Sequence, residues 1–121
     1  MRDHKSLLAW QQAHAVVLDV RRLCRKHWRP DAAVVLEQLA RASLSAQLNI
    51  AEGHALRATR RFRNHLVIAY GSAVETIELL ELLDKEKTFP DELVQPALKA
   101  GIRTRMLLLG LLRRYRNDGK A

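Results

Sequence analysis

Pro30, Gly53 and the triplet Phe89-Pro90-Asp91 cut the apolar periodicity of this chain into four long segments. Within each segment apolar residues return every three or four positions, the period of a helix face rather than of a strand. The spacing predicts helices over roughly 6–28, 31–54, 59–84 and 91–116. Ser6 and Thr59 are expected N-caps, and Asp31 and Asp91 place negative charge where a helix start favours it. Short connections make sequence neighbours antiparallel, so the expected fold is an all-α, up-down antiparallel four-helix bundle. With 121 residues, positions 1–121 form a single domain. Only five Gly and three Pro argue against a many-turned β protein.

The apolar pattern asks for more than one bundle core. In the first segment Leu7, Trp10, Val17 and Cys24 lie near one stripe, and Ala9, Ala13, Val16, Val20 and Leu23 near a second. The last segment is apolar almost all round from Met106 to Leu112. A helix of an isolated bundle needs one inward stripe, so another subunit is the simplest cover and a ring of copies is expected. Small residues recur around Ala42–Ala46 and Ala69–Ala73. Gly71, in mid-helix, costs about 1 kcal/mol relative to alanine, and a close helix approach there is the expected compensation. Glu75, one turn on, needs a partner if buried, with Arg41 as the nearest choice.

Chemistry is sparse. The single cysteine, Cys24, excludes an internal disulfide and a multi-cysteine zinc site. It falls on an apolar stripe, as a structural cysteine does, although Arg21, Arg22, Arg25 and Lys26 stand near it in sequence. His4, His14, His27, His54 and His65 share no ligand spacing, and no Glu has a His three residues later. Glu75, Glu78 and Glu81 share a helix, and with Lys85 and Lys87 nearby they read as a solvated or interface face. The glycines are isolated, so no phosphate loop is present. No catalytic residue, cofactor or metal is expected, and the chain is expected not to be an enzyme. The start of the chain has no signal-peptide plan and no apolar run is long enough for a membrane span, so a cytoplasmic protein with no membrane partner is expected.

The arginines carry more information. Arg60-Arg61-Phe62-Arg63 and Arg113-Arg114-Tyr115-Arg116 match each other, each with an aromatic between arginines. In an up-down bundle they fall at the same end as the start of the chain. Residues 1–10 carry +1, residues 49–66 carry +3 and residues 110–121 carry +3, which is +7 of a net +8. At the opposite end Arg21, Arg22, Arg25, Lys26 and Arg29 face the acids Glu75, Glu78, Glu81, Asp84, Asp91 and Glu92. Arg57, Arg60, Arg61, Arg63, Arg113, Arg114 and Arg116 are therefore the candidate nucleic-acid-binding residues, because guanidinium groups match phosphate bidentately and stack on bases. Cations near the end of the last helix also suit its dipole, whereas Arg60, Arg61 and Arg63 sit where the dipole opposes them.

Gln38-Leu39-Ala40-Arg41-Ala42, then Asn49-Ile50-Ala51-Glu52-Gly53, then Phe62-x-x-x-Leu66-x-Ile68-Ala69-x-Gly71-Ser72-x-x-Glu75 form a recognisable pattern. With Leu8-Ala9-Trp10-Gln11 at the front, the chain resembles the four-helix-bundle family encoded by intervening sequences of bacterial 23S ribosomal RNA genes. The resemblance implies a ring, most simply a homopentamer, with no established enzyme activity. The related accessory variability determinants of diversity-generating retroelements bind nucleic acid and a reverse transcriptase, so an accessory or scaffold role beside a reverse transcriptase is the alternative expectation to RNA or DNA binding. Arg41, Asn49, Glu52, Gly53, Gly71, Ser72 and Glu75 read as structural motif residues, at a helix end and a close helix contact. The chain departs from the family pattern at Gln47, where Pro is usual, and in the connection after Pro30, which is short and lacks an aromatic-Gly pair.

Overall fold

The computed structural model describes residues 4–115. Among these residues there are four α-helices and no strand: α1, Leu8–Lys26; α2, Ala33–Ala55; α3, Arg61–Glu86; and α4, Asp91–Arg114. Short 3-10 turns precede α1 (His4–Ser6) and α2 (Pro30–Ala32). The helices pack in the cyclic order α1–α2–α3–α4–α1, as an up-down bundle requires.

Local chemistry sets the boundaries. Leu7, not Ser6, is the N-cap of α1 and gives no side-chain cap. Pro30 starts a 3-10 turn rather than α2, and Asp31 turns back to Arg29. Thr59 stands one residue ahead of the formal cap of α3, where its hydroxyl accepts the Arg61 N–H at 3.2 Å and donates to Leu56 O at 2.8 Å. Lys87 ends α3 in the left-handed region at φ 54°, where its N–H reaches Asp84 O and the Thr88 N–H reaches Leu83 O. Pro96 sits inside α4 near its start without ending the helix. α2 is continuous past Gln47, whose side-chain carbonyl meets His14 Nδ1 at 3.2 Å.

The interior has two apolar clusters joined by a waist of small residues. One cluster, toward the Pro30 and Pro90 connections, centres on Val20, Leu36, Leu39, Leu80, Leu83 and Val94. The other, toward the chain termini, centres on Ile50, Phe62, Leu66, Ala69 and Leu108. Between them Ala13, Ser43, Ala46, Ala73, Gly101 and Thr104 surround a void of only about 10 Å³. The recurring small residues therefore serve close packing at the waist. Ser43, Thr76 and Thr104 are buried there, and each hydroxyl donates to a carbonyl one turn back.

Apolar surface remains uncovered. Met106 is 64% exposed, Leu8 63% and Ile68 50%. No helix among the described residues is long and apolar enough to cross a membrane.

Candidate nucleic-acid interface

The end of α2, the start of α3, the end of α4 and the turn before α1 share one end of the bundle. Phe62 is buried in the cluster toward the chain termini, in register with Leu66, Ala69 and Ala73, as expected for a core residue. Its ring meets Tyr115 edge-on, with centroids 5.0 Å apart and planes at 78°. The two matching arginine runs are thus joined through their own aromatics. A pocket of about 270 Å³ opens beside this pair, walled by Leu7, Ile50, Leu66 and Arg57 among others.

Arg57, Arg60, Arg61, Arg113 and Arg114 are exposed, and Arg63 is half-buried. Arg116 lies outside the described residues, as do Arg2 and Lys120. Among the described residues none of these arginines forms an ion pair. Arg57 folds back on α2, donating to His54 O at 2.6 Å, where a cation suits the helix C-terminus. Arg114 lies over the Tyr115 ring at 5.7 Å. Arg63 Nε is buried without a hydrogen-bond partner. Arg60 and Arg61 flank the positive N-terminus of α3, so their repulsion from the dipole has no local compensation. An anion held between the runs would supply it.

The family-motif residues gather elsewhere, along the seam between α2 and α3. Arg41 donates to Gln38 Oε1 at 3.3 Å, and Gln38 donates to Glu75 at 3.5 Å. Glu75 is exposed, so Arg41 supports it through Gln38 rather than neutralising it in the interior. Ser45 and Ser72 share a hydroxyl bond of 2.8 Å. Asn49 donates to Ser45 O at 2.9 Å and its side-chain oxygen meets His65 Nδ1 at 2.9 Å. The close helix contact expected at Gly71 does not occur, since Gly71 is exposed with nothing within 4 Å of an added Cβ. A close contact occurs instead at Gly53, two residues inside the end of α2, where an added Cβ would stand 3.1 Å from His65 Cβ. Glu52 is exposed beside Gly53. Sequence reasoning missed Gln38 and His65 as partners; their alignment with Arg41, Asn49 and Glu75 depends on how the two helices rotate about their axes.

The other chemical candidates stay apart. Cys24 packs against the cluster toward the Pro30 and Pro90 connections, its thiol donating weakly to Leu36 O at 3.9 Å. Burial raises its pKa, against a smaller lowering by Arg21, so the thiolate is disfavoured. Among the described residues no group of three His, Cys, Asp or Glu could hold a metal ion. At the opposite end Arg22 of α1 pairs with Asp19, and Arg29, beyond α1, pairs with Asp31.

The fold and the motif seam define a basic four-helix bundle with an arginine-rich end. The family model described as 23S rRNA-intervening sequence protein matches residues 5–109, and the chain belongs to that family. No curated protein and no solved structure matches the chain significantly.

Proposed function

We propose that the protein is a non-enzymatic, oligomeric bundle that binds RNA or DNA through its arginine-rich end. The contact between Phe62 and Tyr115 carries this reading, because it holds two arginine runs together where no carboxylate pairs with them among the described residues. Guanidinium groups so placed can take phosphates bidentately, and several copies side by side multiply the contact. A salt-titrated binding assay with structured RNA and duplex DNA tests it. Counterion release makes affinity fall steeply as salt rises. Replacing Arg60, Arg61, Arg113 and Arg114 together with alanine should abolish binding, and unchanged affinity would sink the proposed surface.

The exposed apolar positions Leu8, Ile68 and Met106 support a second reading, a scaffold whose partner is another protein such as a reverse transcriptase. It predicts weak affinity for nucleic acid alone and co-purification with that partner.

A further inference from the structure

The arginine-rich end of the bundle is open where the other end is shut. At the far end Phe89 is buried and Arg29 reaches across to Thr88 O at 2.6 Å. At the arginine-rich end all four helices have a terminus, and each side of the bundle contributes to the wall of the pocket of about 270 Å³. Leu7 stands ahead of α1, Ile50 belongs to α2, Phe62 to α3 and Leu111 to α4, with Tyr115 just beyond it. The wall is mostly apolar, although exposed cations surround it.

Size and lining restrict the occupant. The volume lies just under the range of about 300–1,000 Å³ typical of pockets for drug-sized ligands, so it suits one flat ring system. Phe62 and Tyr115 supply aromatic surface, and the Arg114 guanidinium already lies over the Tyr115 ring at 5.7 Å. His54 and Arg57 add a polar side to the wall, tied together by the 2.6 Å hydrogen bond from Arg57 to His54 O. Arg60 and Arg61 directly precede Phe62, and Arg113 and Arg114 directly precede Tyr115, so exposed cations from two helices flank the aromatic wall. A small carboxylic acid needs one such cation. A strand of phosphates uses several, with a base between them to fill the apolar space.

We infer that this pocket receives one unpaired base of a nucleic-acid strand, stacked on the Tyr115 ring beside Phe62, while the flanking phosphates lie on Arg57, Arg60, Arg61 and Arg113. A base inside a duplex has its faces covered and its edge paired, so it does not enter. The protein therefore selects single strands, loops, bulges and ends over continuous duplex. Every base has a π-face, so the selection is for the state of the strand rather than for its sequence. The pocket deepens the nucleic-acid half of the proposed function and rests on it: the arginines hold the backbone, and the open end of the bundle tells unpaired from paired.

Fluorescence anisotropy on the full chain should compare a single-stranded oligonucleotide with an abasic strand of the same length, which carries the same phosphates. The strand with bases should bind at least about fivefold more tightly, the effect of one stacked base. A duplex with one bulged base should exceed the fully paired duplex by a similar factor. Tyr115→Leu keeps an apolar side chain without a π-face and should bring both ratios close to one, whereas Tyr115→Phe should preserve them. Circular dichroism should show wild-type helicity in both variants. The ratio is the readout, so a general change in how the arginines sit does not mimic the effect. In methyl NMR spectra Leu7, Ile50 and Leu111 should shift with the base-bearing strand and not with the abasic one. Ratios of one in the wild type, wild-type ratios in Tyr115→Leu, or unmoved methyl signals each overturn the pocket. Equal binding with and without bases leaves the phosphate contacts of the proposed function standing. No binding to any strand at low salt removes that reading and the pocket with it. Decanoate that shifts the same methyl signals when no strand does makes the occupant an apolar acid and overturns the base.

Discussion

The two ends of the bundle hold their charge differently. At the end with the Pro30 and Pro90 connections, Arg29 grips Asp31 through two hydrogen bonds of 3.0 and 2.7 Å and reaches across to Thr88 O at 2.6 Å. Lys87 stands 3.9 Å from both Asp84 and Asp91. Cations there tie one connection to the other. At the opposite end Arg57, Arg60, Arg61, Arg113 and Arg114 surround an aromatic pair and pair with no acid among the described residues. One end uses charge to close the fold, and the other keeps it available. Both ends are built on a buried phenylalanine, Phe89 in one and Phe62 in the other. The difference therefore lies in the residues around equivalent anchors rather than in how well each end is packed.

The quadruple alanine variant at Arg60, Arg61, Arg113 and Arg114 breaks this contrast most sharply. If all four touch phosphate, log affinity of the wild type should fall against log salt with a slope of at least roughly three to four, and the variant should show no measurable binding by fluorescence anisotropy. Phe62→Ala should cost about 3–5 kcal/mol in chemical denaturation and also weaken binding, although it removes no charge. Phe89→Ala should cost a similar amount and leave binding unchanged in the folded fraction. Equal effects of the two on binding would mean that the aromatic pair does not position the arginines. Arg29→Ala should cost about 1 kcal/mol, since it removes an exposed ion pair and one hydrogen bond to a carbonyl, with no change in affinity. Lys87→Gly should gain up to about 1 kcal/mol in thermal unfolding, because glycine relieves the left-handed backbone at φ 54° while only two long, exposed ion pairs are lost.

Helix number, order and direction were legible because Pro30, Gly53 and Pro90 interrupt strong periodicity. Offsets of about two residues arose where side chains intervene: Pro30 and Asp31 make a 3-10 turn before α2, and α3 runs two residues past Asp84 to its cap at Lys87. The arginine-rich end was legible from topology alone, since antiparallel order fixes which termini meet. The contact between Phe62 and Tyr115 was not, because it depends on how far α3 and α4 rotate about their axes. The same rotation hid the role of Gln38 between Arg41 and Glu75, and it turned Gly71 outward when its sequence surroundings suggested a packed contact. At the opposite end the charge balance was legible but not the partners: Asp19 with Arg22 and Asp84 with Lys87 pair one turn away at little entropic cost.

The waist of small residues divides the molecule in a further respect. Leu36, Leu80 and Val94 belong to one apolar cluster, and Ile50, Leu66 and Leu108 to the other, with Ser43, Ala73 and Thr104 between. Every helix crosses the waist, yet few large side chains bridge it. The two halves therefore form natural units of partial unfolding. Amide hydrogen exchange should separate them into two protection classes, and a ligand on the arginines should slow exchange in the half that holds Ile50 and Leu108 more than in the other.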